Sequence, residues 1–538
     1  MDRRFLASKP KWRVSKWRLL FTVFIVIYFI VLVFNLDSMT IQWDEANHLN
    51  GALLLAHGRI QLYATTSLFY PPLDDLLIAG FFAITGPSVL AGRLIGVIFA
   101  VLSVWVLFEF TQRTYEPKTA FLSSVLLANM PGFIWLARLA MLETMLVFFF
   151  SVSMMLFFFW LQKHHIKFLT LSAVALGLGF LTKYQIIIAV PAMLTSIFLL
   201  SKSYLKEKLS RFPLLILIVI CIILPWVLFS FQAYTSGMLD QWLYAMGAGN
   251  PQKSLYSARF PAPLFYLIEM TWPYGAVHPV SLFVYVLGLL GLLVLATRRT
   301  AADKFLLVWF FAMYIFFTVI GNRQWRYIVP VFPVLALSAS TLIISAYNKL
   351  QKTWKTRNPA SHRVGARKIA AVFLVAAVGF SVAYSCVDAY NWVAKDSAFH
   401  LPLEQAATYA LSNLDADGSL MVLCPINVFS ADILKFYVYA SPRRFTYVGD
   451  YPALPVDAYP PDFNVTELVD QCIQHDVQYL LLYEYGQEYP YYNSNLTMSQ
   501  VYSMLMASQK FTLQTSFGTY PNRIYVLSFS QQPPFGVP

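Results

Sequence analysis

The chain has 538 residues, of which 58% are hydrophobic, 17% are aromatic and only 12% are charged. Soluble proteins carry about 25% charged residues, so most of this chain cannot face water. The formal net charge of +12 favours contact with anionic lipid headgroups and is no argument for nucleic-acid binding, because it mostly reflects basic segments between apolar runs.

Eleven apolar stretches predict membrane-spanning helices. Most are uncharged runs that reach the roughly 17 to 25 residues needed to cross a hydrocarbon core, while 94–112 contains Glu109 and 168–182 is short. We expect an α-helical polytopic membrane protein, since the length of the runs and their lack of alternation exclude a closed barrel. The stretches are 19–36, 94–112, 119–137, 144–162, 168–182, 184–201, 212–239, 270–297, 305–322, 328–348 and 369–387.

The distribution of basic residues predicts the topology. Residues 1–18 hold seven Lys or Arg, and we interpret the long apolar run after them as a retained anchor rather than a cleaved signal. The positive-inside rule then places the N-terminus in the cytoplasm and, with eleven spans, the C-terminus outside. Segments predicted to lie inside hold 25 Lys or Arg, whereas the outer loops up to residue 390 hold eight.

The transmembrane domain is predicted at residues 1–387, with long outer loops at 37–93 and 232–279. The apolar stretch 73–84 is short for a span and is expected to be an interfacial or re-entrant helix. Counting it as a span would invert the later topology and place basic segments such as 202–211 outside. The loop 232–279 is rich in aromatic residues, Gly and Pro and could cover a site.

Residues 388–538 are expected to form a small α/β domain outside the membrane. Strand-like stretches alternate with helix-like ones, which favours this class. Sequons at Asn464 and Asn495 support the outer location weakly, and whether Cys424 and Cys472 form a disulfide is left open. The strand-like stretches are 420–424, 478–483 and 523–529, and the helix-like stretches are 431–440 and 465–475.

Ionisable residues collect where the outer ends of the predicted spans meet. Cations beside carboxylates near lipid fit a phosphate-bearing amphiphile, in which Arg and Lys hold the phosphate while a carboxylate acts as a base or binds a metal. These residues are Asp44, Glu45 and His48 in loop one, Arg138 and Glu143 in loop two, Lys183 in loop three, and Arg323 and Arg326 in loop five.

Simpler interpretations exist for the same residues. Asp44 and Glu45 could cap a helix that starts at Ala46, because acids are favoured at a helix N-terminus. Arg138 and Glu143 could be interfacial side chains that reach for the headgroups.

The remaining candidates are equally open to structural roles. Lys183 could mark a tight turn between two spans, and His48 could be a structural histidine. The pair Asp74-Asp75 has the composition of a metal-binding acid pair but fits a helix start better.

Six short motifs occur in order and cover roughly residues 1–345. Together they resemble the superfamily of the protein O-mannosyltransferases and lipid A aminoarabinose transferases, which are multispanning glycosyltransferases of the GT-C fold. The motifs are Ile41-Gln42-Trp43-Asp44-Glu45, Tyr70-Pro71-Pro72-Leu73, Ala91-Gly92-Arg93-Leu94-Ile95-Gly96, Arg138-Leu139-Ala140-Met141-Leu142-Glu143, Gly177-Leu178-Gly179-Phe180-Leu181-Thr182-Lys183 and Arg326-Tyr327-Ile328-Val329-Pro330-Val331-Phe332-Pro333.

The resemblance implies an inverting transferase that takes a monosaccharide from a polyprenyl or dolichyl monophosphate donor. The acceptor would be a protein, lipid or glycan at the outer membrane face. Asp44 would be the base that takes the acceptor proton, with Glu45 and Glu143 as further catalytic carboxylates, and Asp44 and Glu143 would be the ligands of any divalent metal. Lys183, Arg138 and Arg326 would hold the donor phosphate, and His48, Tyr70 and Arg93 are further candidates.

The chain departs from the superfamily pattern at two places. Relatives usually have Asp where Glu143 stands, which puts a shared metal or acceptor role in question. Some relatives also carry a basic residue just before the loop-one proline, where this chain has Phe69-Tyr70.

Two other functions compete with this interpretation. An oligosaccharyltransferase shares the fold, but its Trp-Trp-Asp-Tyr-Gly signature is missing and Trp272-Pro273-Tyr274-Gly275 lacks the acid. A secondary transporter would be expected to show repeated halves and ionisable groups at mid-membrane, whereas the charges here gather at span ends.

Overall fold

The structure is a computed structural model of the chain. It describes residues 15–66, 70–234, 256–271, 278–355, 362–398, 400–415, 418–423, 428–440, 447–452, 463–484 and 496–530. The loop motif 272–275, Asn495 and Cys424 with its possible disulfide to Cys472 lie outside these ranges.

Apolar helices build most of the chain up to residue 398, and short 3₁₀ helices join several of them at Tyr184–Ile188, Lys202–Tyr204 and Trp325–Val331. The α-helices are α1 Lys16–Val33, α2 Trp43–Ala56, α3 Ile60–Thr66, α4 Leu73–Thr85, α5 Val89–Thr114, α6 Pro117–Ala128, α7 Pro131–Ala137, α8 Glu143–Lys163, α9 Ile166–Phe180, α10 Ala189–Leu200, α11 Leu205–Tyr234, α12 Ala262–Glu269, α13 Leu282–Arg298, α14 Ala301–Val319, α15 Phe332–Lys355 and α16 His362–Ala398.

The helices confirm a polytopic membrane protein. Within the described residues, seven helices are long and apolar enough to cross a membrane, or eight if α6 and α7 are one bent span. Three shorter apolar segments, Ile166–Phe180, Tyr184–Leu200 and Leu282–Arg298, accompany them. Each predicted span overlaps one of these elements, although the number that cross the bilayer stays a prediction.

Prolines set the geometry of the α6–α7 pair. Pro117 and Pro131 each stand at the start of a helix, where the missing N–H has no partner to lose. The two helices meet at an angle of 67°. Arg138 follows directly after the second helix.

Polar contacts at one end of the bundle join segments that were predicted to lie inside. Arg18 pairs with Glu109 at 2.5 Å, joining α1 to α5. The Tyr115 hydroxyl donates to Asp303 at 2.8 Å, which joins the end of α5 to α14, and Arg298 pairs with the same carboxylate. These segments therefore share one end of the bundle, as predicted, while the side of the membrane that this end faces stays a prediction.

The C-terminal part contains a five-stranded mixed sheet in the order β2-β1-β3-β5-β4. Strand β1 runs parallel to β2 and β3, whereas β5 runs antiparallel to β3 and β4. The small α/β fold is confirmed. The strands are β1 Ser419–Leu423, β2 Val448–Tyr451, β3 Val477–Tyr483, β4 Phe511–Phe517 and β5 Ile524–Phe529, and the helices are α17 Leu403–Asn413, α18 Ala431–Ala440, α19 Val465–Gln474 and α20 Met498–Ala507.

The α/β unit packs on the helical part through α18. The Trp43 indole N–H donates to the Asp432 carboxylate at 2.7 Å, and the Asn50 amide donates to the Asp432 carbonyl at 2.7 Å. Buried side chains of both parts join one hydrophobic core. The boundary predicted at residue 388 lies inside α16, which continues to Ala398.

Candidate functional site

Helix α2 presents its two acids to different surroundings. It begins at Trp43, so Asp44 and Glu45 occupy its first turn, and the Glu45 carboxylate caps the helix by accepting from the Gln42 N–H at 3.2 Å. Neighbouring residues on an α-helix point about 100° apart. The Asp44 side chain is accordingly 34% exposed, whereas the Glu45 side chain is fully buried.

Four of the predicted site residues meet in one cluster. The Arg326 Nη1 atom lies 2.5 Å from Asp44 Oδ2, and its Nε atom lies 4.0 Å from Glu143 Oε1. The Lys183 ammonium donates to Glu143 Oε1 at 2.8 Å. We call Asp44, Glu143, Lys183 and Arg326 the charge cluster, and its two carboxylates are balanced by two cations.

Chain breaks between apolar segments position the cluster. Glu143 begins α8, and Lys183 separates α9 from the 3₁₀ helix Tyr184–Ile188. Arg326 lies in the 3₁₀ helix Trp325–Val331, immediately before α15. Each charged residue therefore sits where a span ends, which lets charge reach membrane depth without entering a helix interior.

Tyr327 and Gln324 belong to the same site, although they were not among the predicted site residues. The Lys183 ammonium lies 5.6 Å from the centroid of the Tyr327 ring, and the Arg326 guanidinium lies 5.9 Å from it. The Gln324 side-chain carbonyl accepts from Arg326 Nε at 2.8 Å. The available signal was that Tyr327 follows Arg326 in its motif and that Gln324 lies two residues before Arg326.

Tyr70 lies between the charge cluster and His48. Its ring is 4.8 Å from the His48 ring in an edge-to-face contact. Burial raises the pKa of the Tyr70 hydroxyl, and the negative charge of Asp44 adds to the rise. Tyr70 therefore remains a neutral hydroxyl beside the cluster.

Glu45 and Arg93 form a buried pair away from solvent. Arg93 Nε and Nη2 donate to the two carboxylate oxygens of Glu45 at 2.7 and 2.9 Å, and the Ala140 N–H donates to the same carboxylate at 2.9 Å. Both side chains have no exposed surface. The structure thus gives Glu45 and Arg93 a role in joining α2, α5 and loop two, and leaves neither open to a substrate.

Arg138 also lies apart from the charge cluster. Its Nη1 atom donates to the carbonyls of Leu32 and Phe34 at 2.7 and 2.8 Å, and Nη2 donates to the Asn35 carbonyl at 2.6 Å. These carbonyls belong to the end of α1, whose last C=O groups have no partner within the helix. Arg138 therefore caps α1 rather than joining Lys183 and Arg326.

The Arg323 side chain likewise hydrogen-bonds to backbone carbonyls. It donates to the carbonyls of Thr318 and Ser257 at 3.1 and 3.2 Å. These contacts tie the loop after α14 to residues 256–258.

His48 contacts the acid pair at the start of α4. Its Nδ1 atom lies 3.0 Å from Asp75 Oδ1, and Asp74 is 1% exposed. Burial lowers the pKa of His48, but the hydrogen bond and charge of Asp75 outweigh burial, so the net direction is upward. Burial also raises the pKa of Asp74 to about 7.

Asp44 and Glu143 do not form a metal site with a third ligand among the described residues. The group there with ligand atoms close enough for an ion is His48, Asp74 and Asp75. Asp44 and Glu143 are each paired with a cation, so their charge is already compensated. A divalent metal shared by Asp44 and Glu143 is a poor fit to these contacts.

Residues 70–229 match the sequence model of the family described as dolichyl-phosphate-mannose-protein mannosyltransferase. Over 263 residues, the chain is 26% identical to the undecaprenyl phosphate-alpha-4-amino-4-deoxy-L-arabinose arabinosyl transferase of Yersinia enterocolitica, covering 47% of this chain and 45% of that protein. It is 24% identical over 332 residues to the second such transferase of Proteus mirabilis, covering 60% and 57%. The chain thus spans about half the length of the relatives it matches.

Solved structures match over nearly the whole chain. ArnT from Cupriavidus metallidurans bound to undecaprenyl phosphate superposes with a TM-score of 0.62 at 14% identity, covering 97% of this chain and 99% of that one. The oligosaccharyltransferase AglB from Archaeoglobus fulgidus, in complex with an inhibitory peptide and a dolichol-phosphate, gives a TM-score of 0.56 at 13% identity, covering 96% and 75%. The chain therefore has the GT-C glycosyltransferase fold that its ordered motifs predicted.

Proposed function

We propose that this chain is an inverting membrane glycosyltransferase that moves a monosaccharide from a polyprenyl- or dolichyl-phosphate donor to an acceptor at the outer membrane face. The observation that carries the proposal is the charge cluster. In it the partly exposed Asp44 contacts Arg326, and Glu143 contacts both Lys183 and Arg326 at the ends of spans. The relatives named for undecaprenyl phosphate and aminoarabinose support this donor class.

Asp44 is the proposed base because it is the most accessible carboxylate of the cluster. It takes the proton of an acceptor hydroxyl while the hydroxyl oxygen attacks the anomeric carbon. The bond between that carbon and the phosphate oxygen breaks on the opposite face, so the configuration inverts. The lipid phosphate leaves with its electron pair and needs no strong acid, because it is already an anion.

Lys183 and Arg326 are the proposed phosphate ligands. Both cations lie at span ends with small exposed fractions, and water is scarce there, which strengthens their attraction for an anion. A bound donor phosphate would also contact Arg326. The ion pair between Arg326 and Asp44 would then weaken, and the Asp44 carboxylate could act as a base. The Glu143 Oε2 atom is buried without a hydrogen-bond partner. We propose that it accepts a hydrogen bond from a hydroxyl of the sugar or the acceptor.

The test measures sugar transfer by the full chain in lipid nanodiscs. Radiolabelled undecaprenyl phosphates carrying aminoarabinose or mannose are supplied with a membrane extract as the source of acceptors. Asp44→Asn keeps the size of the side chain but removes the base, so we expect transfer to fall by about 10²- to 10⁴-fold. Asp37→Asn is the matched control, because Asp37 is exposed in the same loop, and its transfer should equal wild type.

A second arm tests the phosphate ligands. Lys183→Met should lower transfer by about 10²- to 10³-fold. Lys163→Met should leave transfer unchanged, because Lys163 lies at the other end of α8 from Glu143. Full transfer by Asp44→Asn would exclude Asp44 as the base. Transfer of a glycan from a lipid diphosphate onto an Asn-containing peptide would favour the oligosaccharyltransferase, and solute uptake without any transfer would favour a transporter.

A further inference from the structure

We propose that His48, Asp74 and Asp75 form a binding site for a divalent transition-metal ion that joins α2 to α4. The proposal stands apart from sugar transfer, because its test measures bound metal. We call these three residues the His-Asp-Asp site. It is separate from the charge cluster, although Asp44 and His48 lie one turn apart on the same side of α2.

The ligand atoms already lie close together. Each residue offers one atom, and these atoms lie within 4.8 Å of one another, with all three residues buried. The His48 Nδ1 and Asp75 Oδ1 atoms are 3.0 Å apart. Two ligands that each lie about 2.1 Å from a metal are roughly 3.0 to 3.5 Å apart, so this edge of the site has nearly the required spacing.

Asp74 supplies the second observation. It is 1% exposed, and its Oδ2 atom is buried without a hydrogen-bond partner. A buried carboxylate oxygen that makes no contact is costly, because it has lost water and gained nothing in return. A metal ion between the two helices would satisfy it.

The two carboxylates of the site also lack a Lys or Arg partner among the described residues. Among the residues that the structure describes, no Lys or Arg pairs with Asp74 or Asp75, and the polar partners of Asp75 are His48 and Tyr63. The charge cluster nearby is balanced by Lys183 and Arg326. Buried carboxylates are normally paired with a cation or bound to metal, so two adjacent buried carboxylates without a Lys or Arg partner favour a bound metal ion.

The packing of α2 accommodates the site. A Cβ atom at Gly51 would lie 2.6 Å from Asp75 Oδ2, so glycine at this position lets the carboxylate approach the helix. Glycine inside a helix costs about 1 kcal/mol relative to alanine. The Tyr63 hydroxyl donates to the same Asp75 oxygen at 3.1 Å and holds the carboxylate in place.

The donor set selects the ion. One imidazole nitrogen with two carboxylates suits Zn²⁺ or Mn²⁺, whereas Mg²⁺ and Ca²⁺ prefer oxygen ligands alone. Three protein ligands leave a coordination position for water. The ion would fix α2, and with it Asp44, against α4.

The test uses the full chain in detergent, stripped with a chelator and dialysed against Zn²⁺ or Mn²⁺ alone. Mass spectrometry should find about one ion per chain in the wild type, and calorimetry gives its affinity. Asp74→Asn should bind at least about 100-fold more weakly. Asp450→Asn changes a partly buried carboxylate of the α/β unit that accepts from the Ala431 N–H; it is the matched control and should bind like wild type.

Two further variants decide the remaining outcomes. Tyr63→Phe removes only the hydroxyl that orients Asp75, so its affinity should fall by about 10- to 100-fold, and this variant keeps the test decisive if Asp74→Asn fails to fold. Asp44→Asn should keep its metal even though it loses sugar transfer. The proposal is overturned if wild type binds no ion, if Asp74→Asn binds as wild type does, or if Asp44→Asn loses the ion. If Asp74→Asn does not fold, wild-type binding by Tyr63→Phe overturns it.

Discussion

At the scale of single residues, the Glu45–Arg93 pair shows how much one buried contact can govern. Both oxygens of Glu45 accept from Arg93, and neither side chain is exposed. The remaining Arg93 N–H groups donate to the carbonyls of Leu36 and Met39 at 2.9 Å. The pair therefore also fixes the chain segment that leads into α2 and Asp44.

Arg93→Met should destabilise the protein strongly, because it leaves the Glu45 carboxylate buried without a counter-charge. We expect the free energy of unfolding to fall by about 3 to 5 kcal/mol, measured by denaturant titration in detergent with tryptophan fluorescence. Adding Glu45→Gln should recover part of this loss. Arg113→Met, which removes an exposed i,i+4 pair with Glu109, should cost less than about 1 kcal/mol. Equal losses in both single variants would contradict the assignment.

Sequence alone predicted which residues gather at the span ends, but not which of them share a site. Arg138 and Arg326 are both arginines at such ends, yet one caps α1 and the other contacts Asp44. The difference depends on side-chain direction and on which helix end lies nearby. Local composition encodes neither of these. Asp44, Glu143, Lys183 and Arg326 were identified because they lie in motifs that follow the order seen in the superfamily.

At the scale of elements, hydropathy located the apolar helices well because a span must be uncharged over a fixed length. Two strands were missed. Strand β2 is only four residues long and includes Gly449, and β4 lies at the sheet edge with mostly exposed side chains. Short or polar strands acquire their identity from pairing with neighbours, so local pattern alone does not reveal them.

Helix α5 packs against loop two at Gly96. A Cβ atom there would lie 2.6 Å from the Leu139 carbonyl oxygen and 3.0 Å from that of Ala137. Backbone atoms cannot turn aside, so Gly96→Ala should cost about 1 to 3 kcal/mol of unfolding free energy, measured by thermal unfolding in detergent. Gly80→Ala is the control, because open space surrounds that position in α4, and it should be neutral or slightly stabilising. A neutral Gly96→Ala would show that α5 and the loop can separate.

At the scale of the whole molecule, one part of the α/β unit joins the hydrophobic core of the helical part, while another part of the unit has a core of its own. Helix α18 lies against α2, the helix that carries the proposed base in its first turn. Asp432 contributes twice to this interface, through its carboxylate to Trp43 and through its carbonyl to Asn50. From this contact we infer that the C-terminal unit holds α2 in position, which the next variant tests.

Asp432→Ala should loosen α2 without unfolding the α/β unit. The change removes the acceptor of the Trp43 indole N–H and the partner of Lys435, while the carbonyl contact with Asn50 remains. Loss of a hydrogen bond to a charged group costs about 1.5 to 3 kcal/mol, so amide hydrogen exchange in α2 should accelerate by about tenfold or more, read by mass spectrometry.

The matched control for Asp432 is Asp470→Ala, because Asp470 is exposed on α19. Its α2 amides should exchange at the wild-type rate. Sugar transfer by Asp432→Ala should fall together with the protection of α2, since a mobile α2 holds Asp44 less often beside Arg326. Unchanged exchange in α2 would contradict the proposed positioning role of the C-terminal unit. Faster exchange with full transfer would show that Asp44 acts without this support.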